Sequence, residues 1–232
     1  MTSAALMAYH AGMELSAMRT SAHQITGWMA ILGGIVAIIG TISLLLLFVV
    51  GEPFGTLNDI LSVPTAVLLL PLVIALYRVN SPDYRLLNLA AMVAGVSGFI
   101  VVAAGSVLLV LGQISFAQSL IPGIGGFGLI GLWMVLNSVL ALKTHSLPAG
   151  LAWAGLLLGI TPSLALLAVL RAETMANALQ SMAGQSAGVQ LSPLMTVLLL
   201  LGSLSYAGMP VWFIWAGRLF LSGPAAGKLA VP

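Results

Sequence analysis

Long apolar stretches, each free of Asp, Glu, Lys and Arg, alternate along this chain with short polar breaks. They run from Thr20 to Gly51, Ile60 to Tyr77, Leu86 to Leu142, Thr144 to Leu170 and Thr174 to Gly217. A helix needs about 20 apolar residues to cross a hydrocarbon layer of ~30 Å. The third stretch is too long for one crossing and divides at the turn-prone segment from Gln113 to Gly126. The fifth becomes continuously apolar only after Pro193. The pattern therefore predicts an all-α membrane protein, a bundle of six transmembrane helices: Ile25–Val50, Ile60–Val79, Leu86–Leu111, Pro122–Leu142, Ala149–Leu170 and Pro193–Phe220.

Composition makes the same choice of solvent. Apolar residues fill 60% of 232 positions and charged residues only 5%, against roughly 25% charged in a soluble domain. In lipid every backbone polar group must be satisfied within the chain, which leaves helices or closed barrels. Barrel strands alternate polar and apolar residues in segments of about 10, and these runs do not alternate. Cysteine is absent, which removes disulfides, thiolate metal sites and thiol nucleophiles from consideration. The net charge of +2 is small and dispersed, so nucleic acid is not an expected partner.

The charges divide by side. Arg19, Arg78, Arg85, Lys143, Arg218 and Lys228 fall on one side of a six-span arrangement, whereas Arg171 joins Glu52, Asp59 and Glu173 on the other. Since cytoplasmic loops carry the excess of Lys and Arg, both termini are expected inside, in a multi-pass protein of the cell inner membrane. Trp28, Trp153, Trp212 and Trp215 lie near the same boundary and are expected to form an interfacial belt. One transmembrane domain, 25–220, is flanked by a cytoplasmic segment 1–24 and a cytoplasmic tail 221–232.

The N-terminus lacks a basic leader before its apolar stretch and does not read as a cleavable signal. Leu15, Met18, Ala22 and Ile25 share a helical face opposite Glu14 and Arg19, so residues 1–24 are either an interfacial amphipathic helix or a frayed tail. The outer connection from Arg171 to Ser192 places Met175, Leu179 and Met182 on one face. It is either an interfacial helix or lid, or a solvated loop.

No Asp, Glu, Lys, Arg or His is expected at mid-bilayer depth; His10, His23 and His145 all fall towards the cytoplasmic side. Intramembrane ionisable groups mark proton relays and ion pathways. Their absence argues against proton-coupled transport, voltage sensing and haem ligation. Residues Gly95-Val-Ser-Gly98 match the nucleophile motif of rhomboid intramembrane proteases, but a serine nucleophile needs a base within hydrogen-bond reach. No span supplies one beside Ser97, and the match is set aside. No catalytic residue and no metal ligand is assigned.

The polar groups left within the spans are neutral. Trp133 and Asn137 share a face at i, i+4, and Tyr206 lies at comparable depth on the last helix. These three are the ligand-facing candidates for a lipid, quinone or pigment. Equally, such groups make interhelical hydrogen bonds worth ~0.6 kcal/mol on average. Small residues at four-residue spacing, Ala30 with Gly34, Ala91 with Gly95 and Gly155 with Gly159, are expected helix contacts. In lipid, close backbone approach and dispersion drive helix association. The run Pro122-Gly-Ile-Gly-Gly-Phe-Gly128 is expected to make an irregular or kinked entry to the fourth span. Pro64, Pro71, Pro162 and Pro210 each remove a backbone donor and can bend a helix.

Three segments carry a resemblance: Leu132-Trp-Met-Val-Leu-Asn137, Leu147-Pro-Ala-Gly-Leu-Ala-Trp-Ala-Gly-Leu-Leu-Leu-Gly159 and Pro210-Val-Trp-Phe-Ile-Trp-Ala-Gly-Arg-Leu219. Over about residues 130–220 the chain resembles small bacterial multi-pass membrane proteins classed as domains of unknown function. The resemblance implies a helical bundle and assigns no site. The expected function is a non-enzymatic structural or accessory subunit, a homo-oligomer or part of a larger membrane complex. The alternative is binding or transport of a neutral hydrophobic molecule. No cofactor is expected, although a bound lipid or pigment is compatible with the neutral face.

Overall fold

A computed structural model describes residues 3–80, 82–169 and 193–222. Among them there are six α-helices and no strand: α1 Ser3–Val49, α2 Phe54–Val79, α3 Arg85–Val110, α4 Phe116–Thr144, α5 Ala149–Val169 and α6 Pro193–Leu221. A single 3₁₀ turn, Pro82–Tyr84, leads into α3. Four segments are long and apolar enough to span a membrane, namely Ser21–Leu47, Phe54–Val79, Arg85–Val110 and Gln118–Thr144. The protein is thus helical and membrane-embedded. The connection from Arg171 to Ser192 and most of the tail 221–232 lie outside the described residues.

Three helix starts differ from the sequence pattern. Helix α1 runs unbroken through the junction at residues 24 and 25. Helix α2 begins at Phe54, six residues before Ile60, because Glu52 accepts hydrogen bonds from the Thr56 N–H at 3.3 Å and its hydroxyl at 3.2 Å. A carboxylate is favoured there, where backbone N–H groups lack helical partners. Asn58 and Asp59 consequently lie inside a helix instead of in a loop. Helix α4 begins at Phe116 rather than Pro122, nucleated by a capping box in which Ser115 and Gln118 exchange side-chain-to-backbone bonds.

The glycine-rich run is therefore helical throughout, and the neighbouring helices cover part of it. A side chain on Gly126 would meet Val102, and one on Gly128 would meet Leu166 and the Pro162 carbonyl. Helix α4 ends at His145, which takes a left-handed conformation (φ 54°) and turns the chain towards α5.

Each helix packs mainly against its two neighbours in the closed ring α1–α2–α3–α4–α5–α6–α1. The directions alternate. Gly33 meets Leu69, Gly95 meets Val73 and Trp133, Gly155 meets Ser138 and Trp212, and Gly34 meets Pro210 and Ile214. Three crossings bring glycine against glycine: Gly27 with Gly217, Gly98 with Gly126, and Gly131 with Gly159. At the first and third, an added Cβ on either residue would lie 2.6–2.8 Å from the partner's carbonyl oxygen. No side chain fits there, and the backbones are close enough for weak Cα–H···O contacts.

Alternation gives the ring a basic end, bearing Arg78, Arg85, Lys143 and Arg218, and an opposite acidic end bearing Glu52 and Asp59. Lys143 lies over the Tyr84 ring, 5.6 Å from its centroid, at the basic end. Trp28, Trp153 and Trp215 are exposed near that end. Trp212 is not part of any belt: it is buried, and its indole N–H donates to the Leu151 carbonyl at 2.9 Å.

Candidate functional site

The ring encloses an axis, and the polar and aromatic side chains along it fall into three layers. The middle layer is aromatic. Trp133 of α4 is fully buried among Phe99 of α3 and Trp212 and Phe213 of α6, with ring centroids 5.9–6.3 Å from its own. The edge-to-face contacts with Phe99 and Trp212 set positive ring edges against negative faces. Trp133 fits because Gly95 leaves room beside it; a Cβ there would lie 2.8 Å from the indole.

On the basic side of this plug, four side chains form one hydrogen-bonded network. Asn80, just after α2, donates its amide to Asn137 of α4 at 3.0 Å and to Asn88 of α3 at 3.2 Å. Its own carbonyl oxygen accepts from the Ser146 hydroxyl at 3.1 Å, in the connection before α5. Asn88 donates to the Tyr77 carbonyl at 2.6 Å, satisfying a group that the end of α2 leaves without a helical partner. Asn137 donates to the Trp133 carbonyl at 2.9 Å. The three asparagines are buried, and each uses both its amide and its carbonyl oxygen. Such groups are costly to bury unpaired and specific when paired.

On the acidic side lies a cavity of about 50 Å³. Phe99, Phe213 and Ile130 line its inner end, and Phe127 and Tyr206 contribute further rings. Tyr206 stacks edge-on against Phe127, with centroids 5.0 Å apart, and donates its hydroxyl proton to the Asn58 side-chain Oδ1 at 3.3 Å. Thr41 of α1 and Ser62 and Thr65 of α2 complete the polar part of the wall.

The three ligand-facing candidates therefore separate. Trp133 and Asn137 do share a face, but both are enclosed by the chain's own helices. Tyr206 lies on the far side of the aromatic layer and adjoins the cavity. All six small-residue positions have close neighbours within the chain. Ala30 and Ala91 are fully buried. A side chain on Gly34, Gly95, Gly155 or Gly159 would meet Ile214, Trp133, Ser138 or Met134 respectively. Gly95 and Gly98 of the protease-like motif are packing positions against Trp133 and Gly126.

Sequence reasoning missed Asn58, Asn80, Asn88 and Ser146. Asparagine is scarce in this chain, with five in all, and each of the four described makes an interhelical contact. That scarcity was the available signal. Two buried polar atoms, the Trp133 indole nitrogen and the Ser138 hydroxyl, have no hydrogen-bond partner among the described residues. No group of three or more His, Asp or Glu side chains converges there as metal ligands would.

Comparison with protein-family models, curated proteins and solved structures finds no match.

Proposed function

We propose that the chain is a non-enzymatic integral membrane subunit, a fixed helical framework presenting its apolar outer surface to further copies or to a larger membrane assembly. What supports this reading is the use made of its polar groups. Asn80, Asn88, Asn137, Ser146 and Trp212 bind neighbouring elements of the same chain. Outward, α1 exposes Ile25, Trp28, Leu32, Ile35, Ile39 and Ile42 at steps of three and four residues. Purification in mild detergent followed by native mass spectrometry tests the proposal. A homo-oligomer or a constant protein partner is the expected result, and a stable lone monomer overturns it.

Tyr206 favours a second reading, the binding or transport of a neutral hydrophobic molecule, because it lines a cavity. Size opposes it at this cavity: ligand pockets run to roughly 300–1,000 Å³, far above about 50 Å³. Co-purification of a quinone, pigment or lipid in stoichiometric amount would favour this second reading.

The finer topology belongs to the same proposal: six spans in a cell inner membrane, with both termini inside. It rests on Arg78, Arg85, Lys143 and Arg218 sharing one end of the ring. Single cysteines placed at Ser146 and at Gln113 report it. Labelling of the Gln113 variant alone by an impermeant thiol reagent on intact cells is expected, and the reverse pattern would invert the topology.

A further inference from the structure

The cavity on the acidic side of the aromatic layer has a wall in which hydroxyl acceptors predominate and Asn58 is the one lining side chain with N–H donors. Thr41 donates its hydroxyl proton to the Ala37 carbonyl at 2.9 Å, Ser62 to the Asn58 carbonyl at 3.0 Å and Thr65 to the Leu61 carbonyl at 2.8 Å. Tyr206 gives its proton to the Asn58 side chain at 3.3 Å. Each hydroxyl is thereby left with lone pairs and no proton to offer. Four hydroxyl side chains from α1, α2 and α6, together with the Asn58 amide, thus border a space bounded elsewhere by Phe99, Phe127, Ile130 and Phe213. A guest that satisfies this wall must be small, must donate hydrogen bonds to the hydroxyls and can accept one from the Asn58 amide.

Volume decides among such guests. A cavity that binds benzene measures roughly 150 Å³, whereas one water needs about 10–15 Å³ and two to four polar partners. A space of about 50 Å³ accommodates roughly three to five waters on that scale. No charged side chain lines the cavity, so a neutral donor is favoured over a cation, whose burial without a counter-charge is expensive.

We propose that this cavity is a hydration site, holding a small cluster of water donated to Thr41, Ser62, Thr65 and Tyr206. The cluster wets the acidic half of the bundle axis and stops at the aromatic layer of Phe99, Trp133 and Phe213. The basic half holds the asparagine network, whose members pair directly with one another. One membrane half is thus organised by water and the other by direct amide contacts.

The chain has no cysteine, so a single introduced thiol gives an unambiguous signal. Ser62→Cys and, separately, Thr65→Cys place a near-isosteric S–H against the cavity. Ser43→Cys is the reference: Ser43 is buried, makes the same bond to the carbonyl four residues back, and does not line the cavity. It also lies nearer the acidic end of the ring, since Gly40 already packs beside Asn58 and Leu61. Infrared spectroscopy of the full chain in lipid, transferred to D₂O, follows S–H to S–D exchange. The hydration site predicts that both cavity thiols exchange roughly tenfold faster than the shallower reference. Exchange ordered by depth, with Ser43→Cys fastest, would show a dry cavity and overturn the proposal. Near-ultraviolet circular dichroism confirms folding, and each of the two cavity variants suffices as a test.

Discussion

Asn80 and Asn137 stand 57 positions apart in sequence and are joined by a 3.0 Å hydrogen bond between the end of α2 and the body of α4. The bond is one of three that converge on Asn80. Removing this side chain strips partners from Asn88, Asn137 and Ser146 at once, and unpaired buried groups cost about 1–3 kcal/mol each. Membrane interiors soften such losses, because the unfolded chain also finds partners. Asn80→Ala is therefore expected to destabilise the bundle by about 2 kcal/mol, measured by unfolding from mild detergent into dodecyl sulfate. In the double variant with Asn137→Ala the two losses add to less than their sum.

Two adjacent residues of α4 should behave oppositely. Asn137 is paired on both sides, whereas the Ser138 hydroxyl is buried without a partner among the described residues. Ser138→Ala removes an unsatisfied oxygen and is expected to leave stability unchanged or raise it by up to about 1 kcal/mol. Asn137→Ala is expected to lower it. The same unfolding assay separates them, and a loss at Ser138 as large as at Asn137 would show that the hydroxyl is satisfied.

Two pairs of glycines in this bundle should respond oppositely to alanine. At Gly27 and Gly131 a Cβ would lie 2.8 and 2.7 Å from a backbone oxygen of the facing helix, which must then move. Alanine at either is expected to cost about 1–3 kcal/mol, as overpacking does. At Gly123 and Gly125 a Cβ meets nothing within 4 Å, and alanine is expected to gain up to about 1 kcal/mol of helix propensity. Thermal unfolding in detergent ranks all four. A destabilised Gly123→Ala would reveal a contact on that side of α4.

Tyr206→Phe deletes the long hydrogen bond to Asn58 while keeping the ring against Phe127. Its expected cost is about 0.6 kcal/mol, the average for such bonds within membranes. A loss several times larger, in the same unfolding assay, would mean that the hydroxyl carries more than this one contact.

The elements of the fold were readable because an apolar run of span length leaves a helix as the economical solution in lipid. Their starts were less so. Glu52, Asn58 and Asp59 read as a loop by polarity, yet the Glu52 carboxylate caps the start of α2 and the Asn58 amide lies within that helix. The Ser115-x-x-Gln118 cap of α4 was legible in principle, but the glycines that follow masked it. Trp133 and Asn137 could be paired from their spacing alone. Asn80 could not be joined to either, because that contact depends on which helices become neighbours. Trp212 and Trp215 are three residues apart on α6, and hydropathy does not say which of them turns inward.

The ring closes between its first and last members, where Gly27 of α1 faces Gly217 of α6. During synthesis the N-terminal helix enters the membrane well before its final neighbour exists. Until α6 arrives, the Gly27–Gly34 face of α1 and the Leu158 side of α5 border an unfilled slot as wide as a helix. A chain that ends before α6 therefore leaves the ring open, with the small-residue face of α1 turned to lipid instead of to a partner helix.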